Sequence, residues 1–249
     1  MAFAAARSFS STKETTNYAR LCRLLVDVGS CVLRETFDRL RPQGALSDVL
    51  TSPPVMSVLQ LLRRKRVLNQ KQWEILFPAN MQSVASKEFD ITLLMVLLRN
   101  ICDLVPPVTG WDGSPPAKDI SLEADIARIK HYRNTVYGHT NEASVDDEQY
   151  NMYWQEIKDV LVRLGGPHYE SVINHLATDC MDPESEQKYR DLLRQWVQDE
   201  ESIKEKLDKI AEKIEQKIED LKERVVLRSG WEGKCIVSEH TVCMASLRF

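Results

Sequence analysis

The chain's 249 residues, 43% of them hydrophobic, are enough for one sizeable core and an appendage. Its longest apolar run, Ile91 to Leu98, falls far short of the roughly 20 residues that a membrane-crossing helix needs, which sets a membrane aside as a partner. The net charge of −4 hides an asymmetry, since residues 1–165 carry 20 Lys and Arg against 19 Asp and Glu and residues 166–249 carry 13 against 18; without a global basic field, any RNA contact has to be local.

Leu, Glu, Lys, Arg and Ala dominate over β-branched alternation, and helical periods recur along most of the chain, so the fold class is all-α. The six cysteines (22, 31, 102, 180, 235 and 243) stand far apart with no C-x-x-C or Cys/His cluster. They read as reduced thiols of a cytosolic, cytoplasmic protein, and the residues call for no metal and no cofactor. Residues 1–16 are expected to be a disordered N-terminus rather than a transit peptide, because Arg7 is the only basic residue before Lys13.

In chain order, a first helix is expected from about Asn17 to Leu40, with Leu21, Leu24, Leu25, Val28, Val32 and Phe37 inside, ended by Pro42-Gln43-Gly44. A short helix follows Pro53-Pro54 and ends in Arg63-Arg64-Lys65-Arg66, and a turn around Trp73 stops at Pro78. The basic tetrad is the candidate nucleic-acid-binding element, although four cations at a helix end also suit a solvated face favoured by the helix dipole, and no aromatic residue is interleaved with them.

Glu88 to Leu104 is apolar around most of its circumference and belongs at the centre of a bundle. Its polar exceptions Thr92, Arg99 and Asp103 share an edge expected to face water or a partner, with Arg99 and Asp103 spaced for an ion pair. The loop from Pro106 to Pro116 carries Trp111 as its expected anchor. From Ser121 to Tyr137 one helix carries the apolar stripe Leu122, Ile126, Ile129 and Val136, and Arg133 falls in the middle of that stripe. Gly138 is the expected left-handed cap, with His139 just beyond.

A helix capped by Ser144-Val145-Asp146-Asp147 carries Tyr150, Trp154, Ile157, Leu161 and Leu164 and stops at Gly165-Gly166-Pro167. These four main helices predict an up-and-down bundle over residues 17–180, closed by a short amphipathic helix from His168 to Cys180. Residues 183–228 form a long charged helix in which Ile203, Leu207, Ile210, Ile214, Ile218, Leu221 and Val225 recur at coiled-coil spacing with a stutter. Folding back onto the bundle and self-association both fit that seam. Residues 229–249 stay unassigned.

Phe89-Asp90-Ile91-Thr92-Leu93-Leu94, Leu97-Leu98-Arg99-Asn100-Ile101-Cys102, Gly110-Trp111-Asp112, Ala124-Asp125-Ile126-Ala127-Arg128-Ile129-Lys130 and Tyr132-Arg133-Asn134 occur in this order. Together they resemble the HEPN domain of the DAZ-interacting zinc-finger type E3 ubiquitin ligase, over about residues 17–180. The resemblance implies a helical bundle that often dimerises. In active members it implies an Arg-x(4 to 6)-His signature that cleaves RNA without a metal across the dimer cleft, and Arg133, Asn134 and His139 occupy those positions. Ligase activity does not carry over, because no cysteine and histidine spacing here builds a zinc-binding RING.

The chemistry suits the residues. Arginine pairs with two phosphate oxygens and stays charged while the 2′-hydroxyl attacks, and histidine moves the protons near neutrality. A pattern this loose also arises without function, since Arg163 and His168 satisfy it across a helix end. Cleavage, RNA binding without cleavage, and a noncatalytic module that joins a second copy and other proteins through the bundle and the coil all remain open on these residues. Glu123 and Asp125 are further candidates to orient Arg133 or His139.

Overall fold

A computed structural model describes residues 12–139 and 143–200, together with Ile218. Every regular element among them is helical. The first helix starts at Lys13, because Thr12 and Thr15 form a reciprocal capping box. It runs as α1 (Lys13–Arg23), a π-helical segment (Leu24–Gly29) and α2 (Ser30–Leu40). The expected inner residues Leu21, Leu24, Leu25, Val28, Val32 and Phe37 are all buried.

Three short helices follow, α3 (Leu46–Thr51), α4 (Pro53–Arg64) and α5 (Gln70–Leu76), with α4 against the next long apolar helix. That helix, α6 (Ile91–Ile101), is shorter at both ends than its apolar pattern suggests. Asp90 caps it by accepting from the Leu93 amide at 2.6 Å, and beyond its far end Asp103 takes a left-handed φ of 57°. Its expected polar edge is corrected as well. Arg99 is 2% exposed and Thr92 is buried, while Asp103 pairs with Arg41 at 2.6 Å and not with Arg99. The helix ends before Asp103, so the two residues no longer stand one helical turn apart.

Trp111 is buried and anchors the connection to α7 (Leu122–Gly138), which is capped by Ser121. Then come α8 (Asp147–Gly165), capped by Asp146, α9 (His168–Thr178) and α10 over residues 183–200, capped by Asp182 with Pro183 at its first position. Helix α8 packs against α1, α2, α7 and α9, and α6 packs against α2 as well.

Helix α10 joins the same core through Leu193 and Trp196. Thr16 donates to Glu186 at 2.6 Å and Tyr189 to Asp27 at 2.7 Å, fixing its early turns to α1 and the π segment. The coiled-coil seam expected from Ile203 to Val225, Ile218 apart, lies outside the described residues, as do the tail and residues 1–11. No helix among the described residues is long and apolar enough to cross a membrane.

Candidate functional site

Arg133 points inward, as its place in the α7 stripe predicts. It is 2% exposed between Ile129 and Val136, which are also buried. Its guanidinium meets the carboxylate of Glu200 and lies 4.8 Å from the centroid of the Trp196 ring. Asn134 accepts from its Nε at 3.1 Å and its Nη2 at 2.7 Å, so the two residues form one unit.

His139 is placed differently. Gly138 is still helical and does not take a positive φ, which corrects the expected left-handed break. Its ordinary helical φ costs little, so nothing forces the chain to turn there. Six residues along an unbroken helix rotate a side chain by about 600°, leaving the two directions about 120° apart. His139 serves as the C-cap, its amide donating to Val136 at 3.1 Å, and its ring stands 6.1 Å from Tyr153. Among the described residues no hydrogen bond joins Arg133 and His139.

Two more cations converge on Glu200. Lys130 pairs with it and also with Asp112, and Arg99 of α6 approaches to 4.0 Å. Burial alone would raise the Glu200 carboxyl, but Arg133, Lys130 and Arg99 outweigh it and hold the group at about 2. Burial pushes Arg99 down to about 10 against the pull of Glu200 and Asp112, and Arg133 pushes the same way as burial. The guanidinium of Arg99 lies 5.4 Å from the Trp111 ring centroid.

Sequence reasoning missed Glu200 and Trp196, although a signal existed. Leu193, Trp196, Val197 and Glu200 follow one another at steps of 3, 1 and 3, placing Glu200 on the apolar stripe of its helix as Arg133 is on the stripe of α7.

Asp125, expected as a possible orienter, is engaged elsewhere. It is 1% exposed, accepts from Arg128 at 2.6 Å, and is gripped by the fork of Arg163, with both distances 2.8 Å. Arg128 continues to the Pro116 carbonyl at 2.6 Å. This group therefore ties α7, α8 and the 102–121 connection together and leaves His139 alone. Arg163 of the second Arg-His pair is thereby explained as structural.

The basic tetrad stands apart from all this, at the end of α4. Arg66 adopts a left-handed φ of 59°, its amide donates to Arg63 and that of Val67 to Leu62, each at 2.9 Å, and Leu62 and Val67 are both buried. This is a Schellman ending, which fans Arg63, Arg64 and Arg66 outward into solvent with Lys65 half-buried. Among the described residues no carboxylate pairs with any of the four.

The aromatic partner that the local sequence lacks arrives from α5. The Arg63 guanidinium lies 4.4 Å from the centroid of Trp73, whose ring is 4.4 Å from that of Phe77. Arg63 also donates to Gln70 at 3.1 Å. The capping box of Asn69 and Gln72 starts α5 directly after the tetrad, which brings Trp73 alongside.

Residues 43–189 match the family described as DZIP3/hRUL138-like HEPN. The chain belongs to that HEPN family. The human E3 ubiquitin-protein ligase DZIP3 is 29% identical over 160 residues, covering 59% of this chain and 12% of the relative. Its mouse counterpart is 28% identical with the same coverage. The chain thus matches about an eighth of these relatives' length. No solved structure matches. The matched HEPN segment contains the tetrad, Arg99 and the Arg133 to His139 motif, and it ends within α10, before Trp196 and Glu200.

Proposed function

We propose that this HEPN domain binds single-stranded RNA at the end of α4 and that a single copy holds RNA without cutting it. The observation that carries the reading is the tetrad Arg63, Arg64, Lys65 and Arg66, which no carboxylate among the described residues pairs, beside the Trp73 and Phe77 rings. Cations that no neighbouring carboxylate among the described residues neutralises attract a phosphate backbone, and a half-buried indole offers a face on which a base stacks.

Cleavage through Arg133, Asn134 and His139 requires a different arrangement. The guanidinium would have to leave Glu200 to reach a phosphorane, and an imidazole would have to face it. A second HEPN copy supplying that imidazole fits the dimeric arrangement implied for active members. In that state Arg133 stabilises the developing charge, Asn134 steadies the guanidinium, and a histidine protonates the departing 5′-oxygen.

The test is fluorescence anisotropy with a single-stranded RNA over a series of salt concentrations, alongside incubation in EDTA. Replacing all four tetrad residues by alanine is expected to abolish binding and flatten the salt dependence by about 0.7 in log–log slope for each phosphate no longer neutralised. Trp73→Ala is expected to weaken binding by about 1–3 kcal/mol. Unchanged affinity in the tetrad variant would end the reading. Products ending in 2′,3′-cyclic phosphate that vanish in Arg133→Ala and His139→Ala would instead show a cutting enzyme.

A second reading has its own observation. Val105, Val108 and Ile120 are exposed on the connection between α6 and α7, and apolar residues on one surface segment suit a noncatalytic module that docks other proteins. In that case RNA is not retained at all, and a partner covers these three side chains.

A further inference from the structure

Glu200 lies where three cations from two helices converge, Arg99 from α6 and Lys130 and Arg133 from α7. One carboxylate with two oxygens does not exhaust the donors there. Among the described residues Arg99 Nε and Nη2 are buried with no acceptor, and so are the indole nitrogens of Trp111 and Trp196, the two rings that stack on Arg99 and Arg133. A buried N–H without an acceptor is uncommon in a folded protein, and several around one cationic cluster call for an anion with more oxygens.

Asp112 belongs to the same neighbourhood and pairs with Lys130 from its exposed side. Taking Glu200 away would leave three cations against that one carboxylate, a formal surplus of +2. The hydrogen phosphate dianion matches that surplus, and its tetrahedral oxygens reach donors that a planar carboxylate leaves unmet.

We propose that Arg99, Lys130 and Arg133 form a phosphate-binding site that Glu200 of α10 fills from within. Helix α10 thereby acts as the competitor of the ligand, and a phosphate group gains access as the turn of α10 that carries Glu200 lifts. The inference stands apart from RNA binding at the end of α4 and shares with the cleavage arrangement one residue, Arg133. Nothing in its test depends on RNA being bound.

The test uses the full chain, with inorganic phosphate and a single-stranded RNA carrying hydroxyls at both ends as separate probes. Binding is read from tryptophan emission, to which Trp111 and Trp196 contribute, and from the thermal midpoint. Glu200→Gln is expected to bind inorganic phosphate about tenfold more tightly than the unaltered chain, and phosphate is expected to restore part of the midpoint that the substitution loses. Adding Arg99→Met to Glu200→Gln is expected to remove the gain.

Should Glu200→Gln not fold, Glu200→Asp, which draws the carboxylate back by one methylene, is expected to show an intermediate gain. No gain in whichever variant folds overturns the proposal. With the four tetrad residues replaced by alanine, so that RNA held beside Trp73 does not contribute, a response to inorganic phosphate alone assigns the site to free or terminal phosphate, and an equal response to the hydroxyl-ended RNA assigns it to the backbone diester. Phosphate binding without any RNA binding would end the RNA reading and leave this site standing. Tetrad-dependent RNA binding with no phosphate response would do the reverse.

Discussion

Two carboxylates, Asp125 buried and Glu200 half-buried, organise this domain, and they are built on opposite plans. Asp125 sits between Arg128 and Arg163, which hold it with hydrogen bonds of 2.6–2.8 Å, and a spare donor of Arg128 continues to a backbone carbonyl. Glu200 sits among Arg99, Lys130 and Arg133 and leaves donors around it without acceptors. The first arrangement is closed and welds helices together, while the second leaves donors unmet and joins the body to α10. Charge burial thus serves architecture in one place and leaves binding capacity in the other.

The largest expected effect falls on the closed node. Asp125→Ala strands the Arg128 guanidinium in the core and is expected to cost about 3–5 kcal/mol, a fall of roughly 6–20 °C in thermal midpoint by calorimetry. A fall comparable to that of a surface substitution would erase the contrast between the nodes.

Next comes the acid response of Glu200. Its folded value of about 2 lies below the ordinary 4.5, so its contribution is fully present above pH 4.5 and disappears as the pH falls toward 2. That window is expected to hold about 3 kcal/mol. Denaturant midpoints measured at several pH values should show the loss in the unaltered chain and a shallower one in Glu200→Gln; parallel curves would remove Glu200 from the account.

The smallest expected change sharpens the comparison most. Arg99→Met removes a buried cation that holds Glu200 only at 4.0 Å, and is expected to alter stability by no more than about 1 kcal/mol, with a gain as acceptable as a loss. Arg128→Met, by contrast, should resemble Asp125→Ala. A loss of several kcal/mol in Arg99→Met, measured by urea unfolding, would make the Glu200 node a structural weld like the other.

Much of this architecture is legible in the residues, for identifiable reasons. The stripe of Ile126, Ile129 and Val136 announces that Arg133 faces inward, because a helical period fixes direction whatever residue occupies the position. The HEPN resemblance likewise follows from ordered short segments and agrees with the family matched over residues 43–189.

What escapes is set by contacts between elements or by small local energies. Asp90 shortens α6 with one capping bond that its apolar run does not betray. Gly138 permits a left-handed cap but does not impose one, and the helix passes through it. Trp73 reaches Arg63 only because a capping box starts a new helix right after the Schellman turn. Glu200 hides within the run Asp199-Glu200-Glu201, where only its spacing from Trp196 distinguishes it from solvated neighbours.

The attachment of α10 to α1 also governs how this domain comes into being. Thr16 waits for Glu186, and Asp27 for Tyr189, across separations of 170 and 162 residues. At cellular translation speeds that interval is about 10 to 30 seconds. Throughout it, the side of the first helix destined for α10 stays uncovered on the nascent chain, a window in which chaperones have reason to hold it.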